Sequence, residues 1–98
     1  MNVGAKAIIS HVESVYRHPI AEFGARGILR TRHRVKARHV AIYALRLAGY
    51  SLSDIAASVG LGSHTSIYQA LRSMGDESMA EGRAVYEAVV AKHRGATA

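Results

Sequence analysis

Glycine and serine divide the second half of the chain into short segments, and this spacing limits the fold more than any other feature. Glycine stands at positions 49, 60, 62 and 75, and serine at positions 51 and 63. Glycine commonly follows the last turn of a helix, whereas serine commonly caps the first turn of the next one. The pattern therefore predicts a short helix after Ser51, a turn at Gly60-Leu61-Gly62, and a second helix from Ser63 to about Met74, where Gly75 stops it.

Apolar residues in the rest of the chain follow the i, i+3, i+4 rhythm of amphipathic helices. This rhythm predicts helices over Ala5–Tyr16, about Arg34–Ala48 and about Glu77–His93. A short helix is expected over Pro19–Phe23, because proline fits the first helical position, and a loop is expected over Gly24–His33. The helix after this loop is apolar on nearly every side, which is typical of a central, buried helix. Its inner stripe is expected to consist of Val40, Tyr43, Ala44 and Leu47.

Length and composition fit one folded domain. The chain has 98 residues, of which 49% are hydrophobic, so it can bury a core. We expect an all-α fold, a compact helical bundle of about five or six helices containing a helix-turn-helix. The domain is expected to cover residues 1–94, with a frayed tail at 95–98.

No apolar run approaches the roughly 18 residues that cross a membrane, and cysteine is absent, so we expect a cytoplasmic protein without a membrane partner.

Positive charge is concentrated in the first half of the chain. The net charge is +6, and residues 1–49 carry nine lysines and arginines against two acids, whereas residues 50–98 carry four against five. No acid occurs between Arg26 and Arg46. A field of one sign attracts a polyanion such as DNA, although a basic run by itself is as often an ordinary solvated surface.

Three of these cations are expected in the first turns of the central helix. They are Arg34, Lys36 and Arg38. Positive charge at the start of a helix opposes the helix dipole and costs some tenths of a kcal/mol per residue. These cations therefore suggest an anion from outside the chain that neutralises them, with a tolerated, mildly destabilised surface as the alternative.

The second helix of the helix-turn-helix has two distinct faces. Four apolar residues repeat at helical spacing and are expected to face the core, namely Ile67, Ala70, Leu71 and Met74. Four residues point the other way, namely Thr65, Tyr68, Gln69 and Arg72. His64 and Ser66 flank this outer face in the first turn. Such polar groups can read base edges in the major groove, although any solvated helix also presents a polar outer face.

Three stretches of the chain carry a family resemblance. They are Lys36–Tyr43, Ser51–Ala56 and Ser63–Ile67, the last of which reads Ser-His-Thr-Ser-Ile. Together they resemble the C-terminal, origin-box-binding domain (domain IV) of the bacterial replication initiator DnaA, which has a Trp-repressor-like helix-turn-helix. The resemblance covers most of the chain, and it implies a domain of bacterial or phage origin that binds double-stranded DNA. It also implies that residues 63–74 enter the major groove and that the basic loop 26–34 enters the minor groove.

The resemblance assigns base reading to the start of this recognition helix. Thr65 and Ser66 match a threonine pair that reads bases through hydroxyl groups, and Thr65 also offers a methyl group. His64 matches a histidine that reaches a base or the backbone beside that pair. The expected base-reading residues are His64, Thr65, Ser66, Ser63 and Gln69.

A second group is expected to contact the DNA backbone or the minor groove. The resemblance implies that Arg30 enters the minor groove and that Arg38 and His39 hold phosphates. The backbone amides of Leu52 and Ser53 open a helix, which is a natural seat for a phosphate. The whole group is Arg30, Arg32, Arg34, Lys36, Arg38, His39, Leu52, Ser53 and Arg72.

The chain also departs from the initiator. Gly62 and Ser63 stand where the family has arginine and aspartate, so one basic contact and one acidic base contact are lost. No Gly-x-x-x-x-Gly-Lys-Ser/Thr loop occurs, so we expect neither nucleotide binding nor the ATPase of the full initiator. The chain is expected to be either an excised domain or a stand-alone protein, with Met1 favouring the latter. In either form it would compete with or assist a full-length initiator.

Other function classes fit the sequence less well. Asp54, Ser63 and His64 are nominal triad residues, but Ser63 and His64 are adjacent on one turn, whereas a triad needs facing side chains. We therefore expect no enzyme, and neither a metal site nor a cofactor. A protein-interaction antirepressor with a basic face remains an alternative. So does a different Trp-repressor-like transcriptional regulator, which would bind a palindrome as a dimer, whereas the DnaA-like interpretation predicts a monomer on an asymmetric box.

Overall fold

A computed structural model describes the backbone of residues 4–16 and 32–97 and the side chains of residues 4–16 and 35–93. This part of the chain forms five helices, α1 (Ala5–Tyr16), α2 (Arg32–Leu47), α3 (Leu52–Val59), α4 (His64–Ser73) and α5 (Asp76–Thr97). It contains no strand, and the all-α fold class is confirmed. None of these five helices is long and apolar enough to span a bilayer. The expected helix at Pro19–Phe23 and most of the expected loop after it lie outside the described residues.

Helix α2 is the centre of the fold, because it packs against each of the other four helices. Its fully buried residues are Ala37, Val40, Ala41, Ile42, Ala44 and Leu45. Tyr43 of the expected inner stripe is half-buried and packs against this core, whereas the stripe is wrong for Leu47, which is half-buried and is not part of the core. Small alanines on several sides of α2 let its neighbours approach closely all round, so burial spreads beyond one stripe.

Two helix boundaries differ from the sequence prediction. α2 begins at Arg32 rather than about Arg34, since arginine and histidine do not break a helix and neither glycine nor proline intervenes. α5 continues to Thr97, beyond the predicted end near His93.

The end of α4 also differs from the prediction that Gly75 stops it. Met74 ends α4 in an extended conformation, with φ −69° and ψ 134°. The carbonyl of Gly75 then accepts a hydrogen bond from the amide of Met79 at 3.1 Å. Gly75 therefore belongs to the start of α5 rather than to the end of α4.

The turn after α2 fixes the direction in which α3 leaves it. Gly49 has φ 96°, in the left-handed region that glycine enters without steric cost. The amide of Tyr50 donates to the carbonyl of Leu45 at 3.2 Å, and the amide of Gly49 donates to that of Arg46 at 3.0 Å. These two bonds form a Schellman motif, as predicted for a glycine directly after a helix. Arg46 also donates from its guanidinium to the Tyr50 carbonyl at 3.0 Å, which reinforces the turn.

A single apolar core joins all five helices. α1 supplies Ile8 and Val12, α3 supplies Ile55, and α4 supplies Ile67, each with no exposed surface. α5 closes this core with Val89, which is also buried. Because α3 and α4 both contribute fully buried side chains, the outer faces of these two helices are held in a fixed relation to α2.

Candidate nucleic-acid interface

Helices α3 and α4 form the helix-turn-helix predicted from the glycine and serine spacing. Ser51 caps α3, with its Oγ accepting from the Asp54 amide at 3.1 Å. Gly60 has φ 77° and ends α3, and the amide of Leu61 donates back to the carbonyl of Ala56 at 2.9 Å. Ala56 is buried, with 4% of its surface exposed, so α3 can approach α4 closely. The tight turn between the two helices is what this motif requires.

The two faces of α4 are arranged as the sequence predicts. Ile67 is fully buried, and the Met74 side chain after the helix is also buried. Ala70 and Leu71 are half-buried and pack against the core. The residues predicted to point outward, Thr65, Tyr68, Gln69 and Arg72, are all exposed. α4 therefore presents a polar face from its first turn to its last.

The five expected base-reading residues fall into two groups. His64, Thr65 and Gln69 are exposed on the outer face. Ser63 is the N-cap of α4, and its Oγ accepts from the Ser66 amide at 3.4 Å. The Ser66 side chain is half-buried, with its Oγ 3.5 Å from the Ser63 Oγ. The two serine hydroxyls therefore take part in the polar contacts that cap the start of α4, whereas the other three side chains face outward.

The start of α3 lies beside the start of α4. A shallow depression of about 290 Å³ is lined by residues from both helices and their turn, namely Ser53, Ala56, Ala57, Leu61, Gly62, Ser63 and His64. The structure therefore brings Ser53, which was expected near a phosphate, next to two residues expected near bases. The amides of Leu52 and Ser53 lie in the first turn of α3, where the helix dipole favours an anion.

The basic segment, residues 26–38, lies before and within α2, and the structure describes part of it. Arg30 lies outside the described residues, and only the backbone of Arg32 and Arg34 is described, in the first turns of α2. Lys36 corrects the expectation that an outside anion neutralises these cations, because its Nζ lies 2.7 Å from Oε2 of Glu81 and also pairs with Glu77. These carboxylates raise the pKa of the Lys36 amine, and Lys36 lowers the pKa of Glu77. The acids came from α5, far along the chain, so the local charge pattern gave no sign of them.

Arg38 and His39 follow Lys36 by two and three positions on α2, and both side chains are half-buried. Burial, followed by the positive charge of Arg38, lowers the pKa of the His39 imidazole below its usual value. This shift favours the neutral imidazole, which can offer a phosphate a hydrogen bond. Arg38 beside it keeps its positive charge at any pH near neutrality.

Tyr68 is the residue that the expected site omitted. Its side chain lies on the outer face of α4 with 51% of its surface exposed. The Arg72 guanidinium carbon lies 5.7 Å from the centre of its ring. The sequence predicted that Tyr68 faces outward. How much of its apolar surface is exposed depends on the neighbouring side chains, which the sequence does not place.

Comparison with protein families identifies the family of this chain. The model of the bacterial dnaA protein helix-turn-helix matches residues 5–74, which includes α1 and the whole of the helix-turn-helix. Comparisons with curated proteins and with solved structures give no match. The matching family is a DNA-binding family rather than a catalytic one, and its partner is double-stranded DNA. The chain therefore belongs to the bacterial DnaA helix-turn-helix family of DNA-binding domains.

Proposed function

We propose that this chain binds double-stranded DNA sequence-specifically, with the first turns of α4 in the major groove. The observation that carries this proposal is the two-sided arrangement of α4. Its inner side is anchored by the fully buried Ile67, whereas His64, Thr65 and Gln69 are exposed on the opposite side. In helix-turn-helix proteins the N-terminal residues of the second helix contact base edges. The exposed hydroxyl, imidazole and amide groups occupy this part of α4.

Contacts with the DNA backbone would set the register of α4 in the groove. The proposed cationic phosphate ligands are two arginines. The Arg38 side chain is half-buried on α2, and the Arg72 side chain is exposed on α4. The amides of Leu52 and Ser53 at the start of α3 would bind a further phosphate. Lys36 is not among the proposed contacts, because two carboxylates of α5 already neutralise it.

The arginines of the basic segment complete the proposed interface. Arg32 and Arg34 stand in the first turns of α2, where the helix start disfavours a cation unless an anion is near. Arg30 is proposed to enter the minor groove, because narrow A·T-rich grooves attract arginine. These contacts give affinity for any duplex, whereas α4 gives the preference for one sequence.

The proposed target is a box related to those that the replication initiator binds. Gly62 and Ser63 replace an arginine and an aspartate, so the preferred sequence should differ from the standard box at the bases those residues would contact. Binding of these residues to such a box would compete with or assist a full-length initiator. We propose that the bound form is a monomer in the bacterial cytoplasm.

Selection of bound sequences from a random duplex library tests this proposal. We expect one asymmetric sequence to be enriched. An enriched palindrome would favour a dimeric regulator of the Trp-repressor kind, and no enrichment would contradict sequence-specific binding.

Salt titration of the selected duplex tests the nature of the partner. If about five phosphates are neutralised, a plot of log affinity against log salt should have a slope near −4 to −5. A slope near zero, or equal affinity for a generic acidic protein, would favour the alternative of a protein-interaction module.

A further inference from the structure

Tyr68 occupies the middle of the outer face of α4. At 100° per residue, it lies between His64 one turn before it and Arg72 one turn after it, so the three form a row along the helix. Its ring is more than half exposed, as is one other large apolar side chain among those described, Val15 of α1. An exposed apolar residue needs no special explanation by itself. The position of Tyr68 within a row that is proposed to face DNA is what requires one.

Arg72 has Tyr68 as its contact. The 5.7 Å between the guanidinium carbon and the ring centre is within the range of a cation–π interaction. Arg72 makes no ion pair within the described part of the chain, although Lys36 is held there by two carboxylates. The positive charge of Arg72 is thus oriented by a ring but left without an anion.

The distance along α4 indicates which part of the DNA Arg72 would meet. Arg72 follows His64 by eight residues, which corresponds to about 12 Å along the helix axis. If the first turn of α4 reads base edges, the end of the row lies towards the rim of the groove, where phosphates rather than bases are within reach. A guanidinium at the rim is suited to a phosphate, which arginine can bind with two parallel hydrogen bonds.

We propose that Tyr68 is a positioning residue, whose ring holds the Arg72 guanidinium in the orientation that binds a phosphate at the rim of the major groove. This inference rests on the proposed function. A free arginine side chain loses conformational freedom when it binds, and part of that loss is avoided when a ring has already oriented it. The benefit acts through Arg72 and is equal for every DNA sequence, because phosphates carry no sequence information.

A double-mutant cycle tests the inference. Tyr68→Phe keeps the ring, whereas Tyr68→Leu keeps apolar bulk without a ring and preserves helix propensity. Affinities for the selected site and for a random duplex are measured over a series of salt concentrations, for these two variants, Arg72→Ala and the double variant Tyr68→Leu/Arg72→Ala. Melting curves are recorded for each variant to check that it is folded.

We expect Tyr68→Phe to bind like the wild type and Tyr68→Leu to bind both duplexes about two- to fivefold more weakly, which corresponds to part of the ordering cost of one long side chain. Arg72→Ala should bind both duplexes more weakly and make the salt slope shallower by about 0.9. Tyr68→Leu should cause no further loss once Arg72 is absent.

Three results would overturn the inference. They are additive losses in the double variant, a loss for Tyr68→Leu on the selected site alone, and no loss for Tyr68→Leu at all. Each of these would leave DNA binding itself intact if the wild type binds duplexes with the expected salt slope. A wild-type protein that does not bind DNA would remove both the proposed function and this inference.

Discussion

At the scale of single residues, the proposed interface contains two kinds of group, those that read bases and those that bind the DNA backbone. Thr65 offers a hydroxyl and a methyl group on an exposed helix face, and both can be matched to base edges in the major groove. Arg38 offers charge from α2, and burial, followed by that charge, lowers the pKa of His39 beside it. Loss of a reading group should change the preferred sequence, whereas loss of a holding group should weaken all sequences alike.

Arg30→Ala and Arg38→Ala should therefore differ in kind. Arg38 is proposed to bind a phosphate, so its loss should weaken selected and random duplexes by the same factor. Arg30 is proposed to enter the minor groove, so its loss should cost most on A·T-containing sites. The measurement is the affinity of both variants for a panel of duplexes that differ in A·T content. Identical specificity profiles for the two variants would contradict this division.

At the scale of helices, the sequence predicted what depends on local chemistry and missed what depends on distant neighbours. The caps at Ser51 and Ser63, the glycine that ends α2 at position 49 and the turn at Gly60 are local, and all four were predicted correctly. The pairing of Lys36 with acids of α5 joins residues more than 40 positions apart, and no spacing rule reports such a contact. For the same reason the sequence does not show how closely α5 approaches α2 at Tyr43.

That approach occurs at Gly82 and yields a prediction. A methyl group on Gly82 would lie 2.9 Å from Cβ and Cδ2 of Tyr43 and 3.1 Å from the carbonyl oxygen of Val40. Overpacking of this kind typically costs about 1–3 kcal/mol, whereas replacing glycine by alanine inside a helix contributes about 1 kcal/mol. Gly82→Ala should therefore lower the free energy of unfolding, by up to about 2 kcal/mol, in denaturant titration.

An exposed position of the same helix supplies the control for this variant. Ala84 is exposed on α5, so Ala84→Gly measures the helix propensity alone and should cost about 1 kcal/mol. If Gly82→Ala instead stabilises the protein by the amount that Ala84→Gly costs, the close approach of α2 and α5 does not exist in solution.

At the scale of the whole molecule, a polar cluster ties three helices together beside the core. Glu81 of α5 accepts a hydrogen bond from the Tyr16 hydroxyl of α1 at 3.1 Å and pairs with Lys36 of α2 at 2.7 Å. Glu77 in the first turn of α5 shares the same lysine. The cluster thus joins the start of the basic helix to the junction that follows α4. It should keep the two proposed DNA-contacting elements, α2 and α4, in a constant relation.

This cluster should make stability sensitive to alkaline pH. Burial, together with the Glu81 carboxylate, raises the pKa of Tyr16 to about 12 in the folded protein, above the value near 10 of an unfolded chain. Stability from the neutral hydroxyl is complete below about pH 10 and is lost as the pH rises towards 12. The difference between the phenolate absorbance titrations of wild type and Tyr16→Phe reports Tyr16 alone, and its midpoint should be about 12. A midpoint near 10 would show that Tyr16 is exposed and that the cluster does not form.

Whether α4 reads DNA sequence is measured by the ratio of affinity for the selected duplex to affinity for a random duplex. Thr65→Ala removes a hydroxyl and a methyl group from the exposed face, and each good base contact contributes about 1–3 kcal/mol of discrimination. The matched control is Ser73→Ala two turns further along the same helix, beyond the first turns that are proposed to read bases, where the hydroxyl donates to the Gln69 carbonyl at 3.0 Å.

We expect Thr65→Ala to lose about 1–3 kcal/mol of preference while its random-duplex affinity, salt slope and melting curve stay unchanged. Ser73→Ala should keep the wild-type ratio. If Thr65→Ala also keeps that ratio and melts like the wild type, then the first turns of α4 do not read the DNA, and the account given for this helix is wrong.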